Sequence, residues 1–253
     1  MFFDTHAHYD DGKFDADRDA LLASMPGNGV ELIVDPASDI ASAMKAQSIA
    51  HRFDFVYFAA GVHPHEAAEA ASDYLDRIRT LAADPKCVAI GEIGLDYHYD
   101  FSPRDVQRRV LDEQMALAME LKKPVIIHER EATADTMDIL RRYKGIQGVV
   151  HCYSGSWETA RGLLDMGWHI SFTGVVTFKN ARRPVEVVSM MPMERLMIET
   201  DSPYMAPVPH RGERNSSLLL HHIAEKIADI RGISVEEVAR ITTENGKRFF
   251  GIG

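Results

Sequence analysis

The chain has 253 residues, of which 45% are apolar and 26% charged, and its formal net charge is −10 at pH 7. The length suits one (β/α)8 barrel or two smaller domains, and the apolar fraction excludes an intrinsically disordered protein. The negative charge argues against a long, nonspecific nucleic-acid groove, although a few arginines or bound divalent cations can hold a phosphate group locally.

Short apolar runs alternate with helical patterns along the whole chain. Between the runs, apolar residues spaced by three or four positions predict helices over 40–53, 74–83, 104–121, 132–143 and 159–166. An irregular stretch over 202–217 precedes two further helices over 217–231 and 235–250, the second with a capping box of Ser234 and Glu237. The eight runs predict strands that begin at Phe2, Val30, Phe55, Cys87, Pro124, Gly148, Trp168 and Arg195.

This alternation implies parallel strands joined by helical crossovers. An open doubly wound sheet is the alternative, but it needs fewer units and often carries a glycine-rich phosphate loop after its first strand. Here the first strand ends in His6-Ala7-His8, and no linker rich in Pro, Gly or Ser divides the chain. We therefore predict an α/β protein with a TIM-type (β/α)8 barrel, organised as a single domain over residues 1–253.

The beginning of the chain, MFFDTHAHYDD, lacks the basic start and apolar centre of a signal peptide. No stretch approaches the roughly 18 uncharged apolar residues that span a bilayer. We therefore expect a cytoplasmic protein with no membrane partner. Cys87 and Cys152 lie in strand-like segments, so we expect two small core residues and no disulfide framework.

Histidines and carboxylates recur near the carboxyl ends of the predicted strands, where barrel enzymes place their active sites. His6 and His8 lie two residues apart on a strand, so both imidazoles point to the same side and can share a metal ion. Glu92 lies in an apolar segment flanked by glycines, where a carboxylate is costly to bury unless it meets a cation.

The later strands supply the remaining donors. His128 and His151 end two successive strands and form a natural pair for a second metal, and Asp201 ends the last strand beside the first metal. Asp201 can also accept a proton as a general base. We predict two divalent metal ions (Zn, Mg or Mn) on six ligands: His6, His8, Glu92, His128, His151 and Asp201.

Other polar residues have different expected roles. We assign His63 a catalytic role toward the substrate; His65 lies near the site, and the role of Asp96 stays ambiguous. His169 is expected in the core. The histidines excluded from the site, because they lie within helices, are His51, His221 and His222.

Eight motifs follow one another along the chain: DTHAH (4–8), GVHPH (61–65), GEIGLDYH (91–98), PVIIH (124–128), HCYSG (151–155), ETDSPY (199–204), RGERN (211–215) and TENGKRFF (243–250). With these motifs, the chain resembles the TatD-type metal-dependent deoxyribonucleases of the amidohydrolase superfamily nearly from end to end.

The resemblance implies that His6, His8, Glu92 and Asp201 hold the first metal, that Glu92, His128 and His151 hold the second, and that Glu92 is shared. It also implies that Arg211, Gly212 and Asn215 shape the mouth of the site. Two positions depart from the family pattern, Glu129 after His128 and Ser216 after Asn215, and both bear on substrate preference more than on metal binding.

The predicted activity is exonuclease-like cleavage of phosphodiester bonds by a water activated on two metals, with DNA ends or single strands as substrate. Arg130, Lys179 and Arg211 are the candidate phosphate contacts, chosen for their positions near strand ends. The same ligand set can also hydrolyse a small amide, lactone or phosphoester, since fold does not determine function. A metal-binding scaffold without activity would lack a ligand, whereas all six are present.

Overall fold

The structure is a computed structural model that describes residues 1–253. Its strands are β1 (Phe2–Asp4), β2 (Val30–Pro36), β3 (Val56–Ala60), β4 (Cys87–Asp96), β5 (Val125–Arg130), β6 (Gly148–Val150), β7 (His169–Phe172) and β8 (Leu196–Ile198). Its helices are α1 (Arg18–Ser24), α2 (Ile40–Arg52), α3 (Tyr74–Ala82), α4 (Arg104–Leu121), α5 (Thr133–Leu140), α6 (Trp157–Asp165), α7 (Arg182–Met190), α8 (Leu220–Arg231) and α9 (Val235–Phe250).

The eight strands form one sheet in the order β1 to β8, and every strand is followed by a helix. This confirms the predicted (β/α)8 architecture. The ends of β1 and β8 meet through a parallel bridge between Ala7 and Ser202, where the Asp201 amide donates to the His6 carbonyl over 2.9 Å. The predicted helices are all present, and the structure adds α1 and α7, which the sequence analysis did not predict.

The chain divides into two compact units, a terminal unit (Met1–Asp35 and Cys152–Gly253) and a central unit (Pro36–His151). In the central unit, β3 to β6 pair in parallel register, with Ile93 opposite Ile127 and Ile126 opposite Val149. All ten residues of β4 are buried, which explains why its sequence reads as one continuous apolar run.

In the terminal unit, α9 packs against the beginning of β1. A side chain at Gly246 would come within 2.6 Å of the Phe3 ring, so only glycine allows this close packing. The buried amide of Asn245 donates to the carbonyls of Met193 and Leu196. The family motif near the carboxyl end of the chain therefore attaches α9 to the strands. At the amino end of this helix, Ser234 accepts from the Glu237 amide, which is one half of the predicted capping box, whereas the Glu237 carboxylate accepts from Arg240.

Candidate metal centre

In the central unit, three imidazoles surround one carboxylate oxygen. Glu92 Oε1 lies 2.7 Å from His151 Nε2, 2.9 Å from His128 Nδ1 and 3.4 Å from His63 Nε2. The nitrogens of His128 and His151 are themselves 3.2 Å apart. The predicted ligands Glu92, His128 and His151 thus direct their donor atoms to a common point, and His63 joins them.

Asp96, whose role was ambiguous from the sequence, orients two histidines of this region by hydrogen bonds. Its Oδ2 accepts from His128 Nε2 at 3.2 Å and from His65 Nε2 at 2.8 Å. Burial raises the pKa of Asp96, but the hydrogen bonds from His128, the Tyr99 amide and His65 outweigh it and hold the pKa well below its usual range. An ionised Asp96 can only accept, so it keeps a proton on His128 Nε2, and Nδ1, which faces Glu92, is the nitrogen that can bind a metal.

His63 is a neutral hydrogen-bond donor. Burial lowers its pKa to about 4, with Glu92 opposing this shift and His128 adding to it. Its Nδ1 accepts from the His65 amide at 3.1 Å, so the ring proton lies on Nε2, on the side of Glu92. This state suits a residue that donates to an anionic oxygen and does not suit a general base.

Two buried glutamines of α4 position the loops that carry these residues. The side chain of Gln114 donates to the Val62 carbonyl and accepts from the Val62 amide, directly before His63. Gln107 does the same for the amide and carbonyl of Asp96. Neither glutamine was predicted from the sequence, although two glutamines seven residues apart on the apolar face of a helix were the available signal.

In the terminal unit, the second donor set consists of His6, His8 and Asp201. His6 Nε2 lies 3.1 Å from His8 Nε2, and Asp201 Oδ1 lies 3.7 Å from the first nitrogen and 3.5 Å from the second. Both imidazoles therefore point to the same side, although His6 and His8 follow β1, which ends at Asp4, and only Ala7 between them bridges to Ser202.

Asp4, the first residue of the DTHAH motif, holds the ends of β1 and β8 together. It is completely buried and accepts from the Thr200 amide at 2.9 Å, the Thr200 hydroxyl at 2.5 Å and the Ser217 hydroxyl at 2.6 Å. Burial raises its pKa to about 7 against these hydrogen bonds. Thr200 directly precedes Asp201, so Asp4 positions the carboxylate of the second donor set.

Both donor sets fit a divalent metal. Donors bound at about 2.1 Å lie about 3.0 Å apart in an octahedral sphere and about 3.4 Å apart in a tetrahedral one. The separations of 2.7–3.4 Å around Glu92 Oε1 and of 3.1–3.7 Å among His6, His8 and Asp201 are of that size. Imidazole nitrogens suit zinc, and carboxylate oxygens suit zinc, manganese and magnesium.

A third group of donors lies beside His8. One ligand atom each from His8, Asp10 and Asp35 falls within 4.8 Å of the others, and His8 Nδ1 is 3.9 Å from Asp10 Oδ1. Asp35 is completely buried, and burial together with the charge of Asp10 raises its pKa well above the usual value. Asp35 was not predicted from the sequence, although it lies near the carboxyl end of β2, a position that corresponds to that of Asp201 after β8.

Two of the three predicted phosphate contacts lie over aromatic rings: Arg130, which ends β5, and Arg211, which lies on the loop after β8. The guanidinium of Arg130 lies 4.7 Å from the centre of the Tyr99 ring, and that of Arg211 lies 4.5 Å from the Phe178 ring. Lys179 is exposed next to Phe178.

The residues that the resemblance places near the mouth include one with a structural task, because the Asn215 side chain donates to the carbonyls of Thr200 and Tyr204. The unusual Glu129 accepts from the Ala132 amide and the Thr133 hydroxyl at the beginning of α5, so this departure from the family pattern caps a helix.

The histidines assigned elsewhere are accounted for. His169 is buried against Phe249, as expected for a core residue. His51 pairs with Asp84 on the surface. His222 pairs with Glu225 and, with His221 and Glu225, forms an additional surface group of possible ligands. None of the helices is long and apolar enough to cross a bilayer.

The chain is similar to known proteins over its whole length. The family described as TatD related DNase matches residues 3–251. The uncharacterized metal-dependent hydrolase YabD of Bacillus subtilis is 44% identical over 254 residues, which cover 100% of both chains. A Pantoea ananatis protein named 3'-5' ssDNA/RNA exonuclease TatD is 34% identical over 260 residues, 99% of each chain. The solved structure of YJJV, a TatD homolog from Escherichia coli, has a TM-score of 0.93 at 28% identity and covers 100% of this chain and 98% of its own.

Proposed function

This chain belongs to the TatD related DNase family and is a metal-dependent hydrolase, and from that premise we propose that it cleaves phosphodiester bonds at the ends of single-stranded nucleic acid. The observation that carries the proposal is the pair of donor sets, His6, His8 and Asp201 in the terminal unit and Glu92, His128 and His151 in the central unit. The name of the Pantoea ananatis relative supports the choice of substrate.

We assign one divalent metal to each donor set. Bound there, such an ion makes a water molecule more acidic and offsets negative charge on phosphoryl oxygens. Asp201 would accept the proton that the attacking water loses, since a carboxylate has a second oxygen besides the Oδ1 that faces His6 and His8. Glu92 Oε1 contacts the His128 and His151 imidazoles of the central unit, so that their donor nitrogens point to the same place.

The remaining residues would bind and orient the substrate. Because the pKa of His63 is lowered to about 4, its imidazole is neutral at higher pH and can donate its Nε2 proton to an anionic oxygen near Glu92. Arg130, Lys179 and Arg211 are the proposed phosphate contacts, because guanidinium and ammonium groups complement phosphate oxygens. These cations give an acidic chain a local attraction for a polyanion.

The test is hydrolysis of end-labelled single-stranded DNA, RNA and duplex DNA by metal-stripped protein to which Mg²⁺, Mn²⁺ or Zn²⁺ is restored. We expect metal-dependent release of mononucleotides that is lost in His6→Ala and in Glu92→Ala. The control His51→Ala should keep the activity, because His51 is a surface histidine that pairs with Asp84. If the protein binds metal through these residues and still cleaves no nucleic acid, the substrate is instead a small amide, lactone or phosphoester.

A further inference from the structure

The loop after β4 exposes two stacked aromatic rings. Tyr99 and Phe101 are 48% and 67% exposed, and their ring centres lie 5.2 Å apart with an angle of 20° between the planes. Most large apolar side chains of the chain are buried. Aromatic residues normally contribute a large apolar area to the core, and these two exposed rings do not. We call Tyr99 and Phe101 the aromatic platform.

The aromatic platform adjoins the donor set of the central unit. The His65 imidazole makes edge contacts with both rings, at 5.4 Å from Tyr99 and 4.8 Å from Phe101. The same imidazole donates to Asp96, which also accepts from His128. A single histidine therefore separates the platform from the side chains that support the proposed metal ligand.

The aromatic platform is held in place by the loop around it. Asp96 Oδ1 accepts from the Tyr99 amide at 2.9 Å, and Gln107 donates to the Ser102 carbonyl at 2.8 Å. The Ser102 hydroxyl in turn donates to the His65 carbonyl at 2.9 Å. A surface that is ordered before binding loses little conformational entropy when a ligand arrives.

Charge identifies the kind of ligand. The chain carries a net charge of −10, yet the guanidinium of Arg130 lies 4.7 Å from the centre of the Tyr99 ring. A ligand with a flat apolar face and an adjacent anionic group would use both features, and a nucleotide has both. In a duplex the faces of internal bases are covered by their neighbours, so an unpaired base offers its face more readily.

We propose that Tyr99 and Phe101 form a stacking site for an unpaired nucleobase of the substrate, with Arg130 contacting an adjoining phosphate. This inference rests on the proposed function and gives it a reason to prefer single strands. Stacking on an aromatic ring tolerates any base, because every base has a π face.

The experiment compares two oligothymidylates with the metal-loaded enzyme, one with all its bases and one with abasic sugars at the terminal positions. For Phe101→Ala and Tyr99→Ala we expect kcat/KM on the base-bearing strand to fall about 5- to 150-fold, the equivalent of about 1–3 kcal/mol per stacked base. The preference for the base-bearing strand should fall with it, and Phe101→Trp should restore it.

The matched control is Phe53→Ala. Phe53 and Phe55 are a half-buried pair of rings that meet edge to face, with centres 6.0 Å apart and an angle of 62° between the planes, and Arg52 lies 5.7 Å from the Phe53 ring. This pair precedes β3, at the amino end of the strand, whereas His63 and His65 follow its carboxyl end. Phe53→Ala should therefore leave the preference for the base-bearing strand unchanged.

The outcomes separate the stacking site from the proposed function. If the wild type cleaves nucleic acid and Phe101→Ala retains the full preference for bases, the stacking site is wrong while the nuclease function stands. If the wild type hydrolyses only small phosphodiesters, the nuclease function is wrong, and equilibrium binding of the oligothymidylate then decides. Weaker binding by Phe101→Ala supports the stacking site, and equal binding or no binding by the wild type overturns it.

Discussion

Replacing Asp96 by asparagine should move a proton onto a metal-binding nitrogen without removing any metal ligand. Asp96 Oδ1 accepts from the amides of His98 and Tyr99, and an asparagine carbonyl can keep both hydrogen bonds. Its Oδ2, however, accepts from His65 Nε2 and His128 Nε2. In Asp96→Asn an amide NH₂ group takes this place, and it can only donate.

The consequence falls on His128. When its Nε2 must accept, the proton of the neutral ring moves to Nδ1, the nitrogen that lies 2.9 Å from Glu92 Oε1 and 3.2 Å from His151 Nε2. A protonated nitrogen cannot ligate a metal. Loss of a carboxylate that orients a metal-bound histidine typically costs about 10- to 100-fold in metal affinity or activity, so we expect a loss of about 1.4–2.7 kcal/mol in this donor set.

The assay is calorimetric titration of metal-stripped protein with Zn²⁺. The matched control is Asp84→Asn, because Asp84 accepts from His51 Nε2 at 2.7 Å in a similar but exposed pair of the same unit. We expect Asp84→Asn to bind as the wild type does. If Asp96→Asn keeps the wild-type affinity at every binding step, the assignment of Nδ1 as the ligand atom of His128 is refuted.

Three further changes test other parts of the structure. Gln114→Ala leaves the buried Val62 amide and carbonyl without their hydrogen-bond partner, so denaturant unfolding should show a free energy of unfolding lower by about 2–5 kcal/mol. Nuclease kcat should also fall, because His63 follows Val62. Unchanged stability would contradict the role of these two hydrogen bonds. Gly246→Ala places a methyl group 2.6 Å from the Phe3 ring and should cost about 1–3 kcal/mol by the same measurement, whereas Gly27→Ala, which meets nothing within 4 Å, is the control. Burial lowers the pKa of His169 from 6.5 to about 4, and the charges of Arg195 and Arg248 add to this shift. Between these two pH values the unfolded chain binds a proton that the folded chain does not. The free energy of unfolding of the wild type should therefore fall by up to about 3 kcal/mol as the pH is lowered from 6.5 to 4. In His169→Phe this part of the pH dependence should disappear, and an unchanged slope would show that the histidine does not titrate in this window.

The strands and most helices could be predicted because each signal lies within a few neighbouring residues. Two helices, α1 and α7, were not predicted, for local reasons. The α1 helix has seven residues and one buried side chain, too few for a clear period. The α7 helix contains Pro184 and several valines, which disfavour helix, and it forms because Pro184 lies in its first turn and Val187 and Val188 are buried.

The residues that share each donor set could also be anticipated, since strand alternation and the common carboxyl end of parallel strands are properties of the chain and the fold class. The supporting residues could not. Asp96, Gln107 and Gln114 act through hydrogen bonds across 11 to 52 positions of the chain, and no local period reveals such partners.

The sequence by itself determined the barrel and which histidines and carboxylates end its strands, because both follow from apolar spacing along the chain. Only the tertiary structure decided which ring nitrogen of His128 faces Glu92 and that His63 is a neutral donor. It also decided that Tyr99 and Phe101 stack in the open beside His65. The physical reason is that protonation, tautomer and exposure depend on atoms from distant parts of the chain, which only folding brings within hydrogen-bond distance.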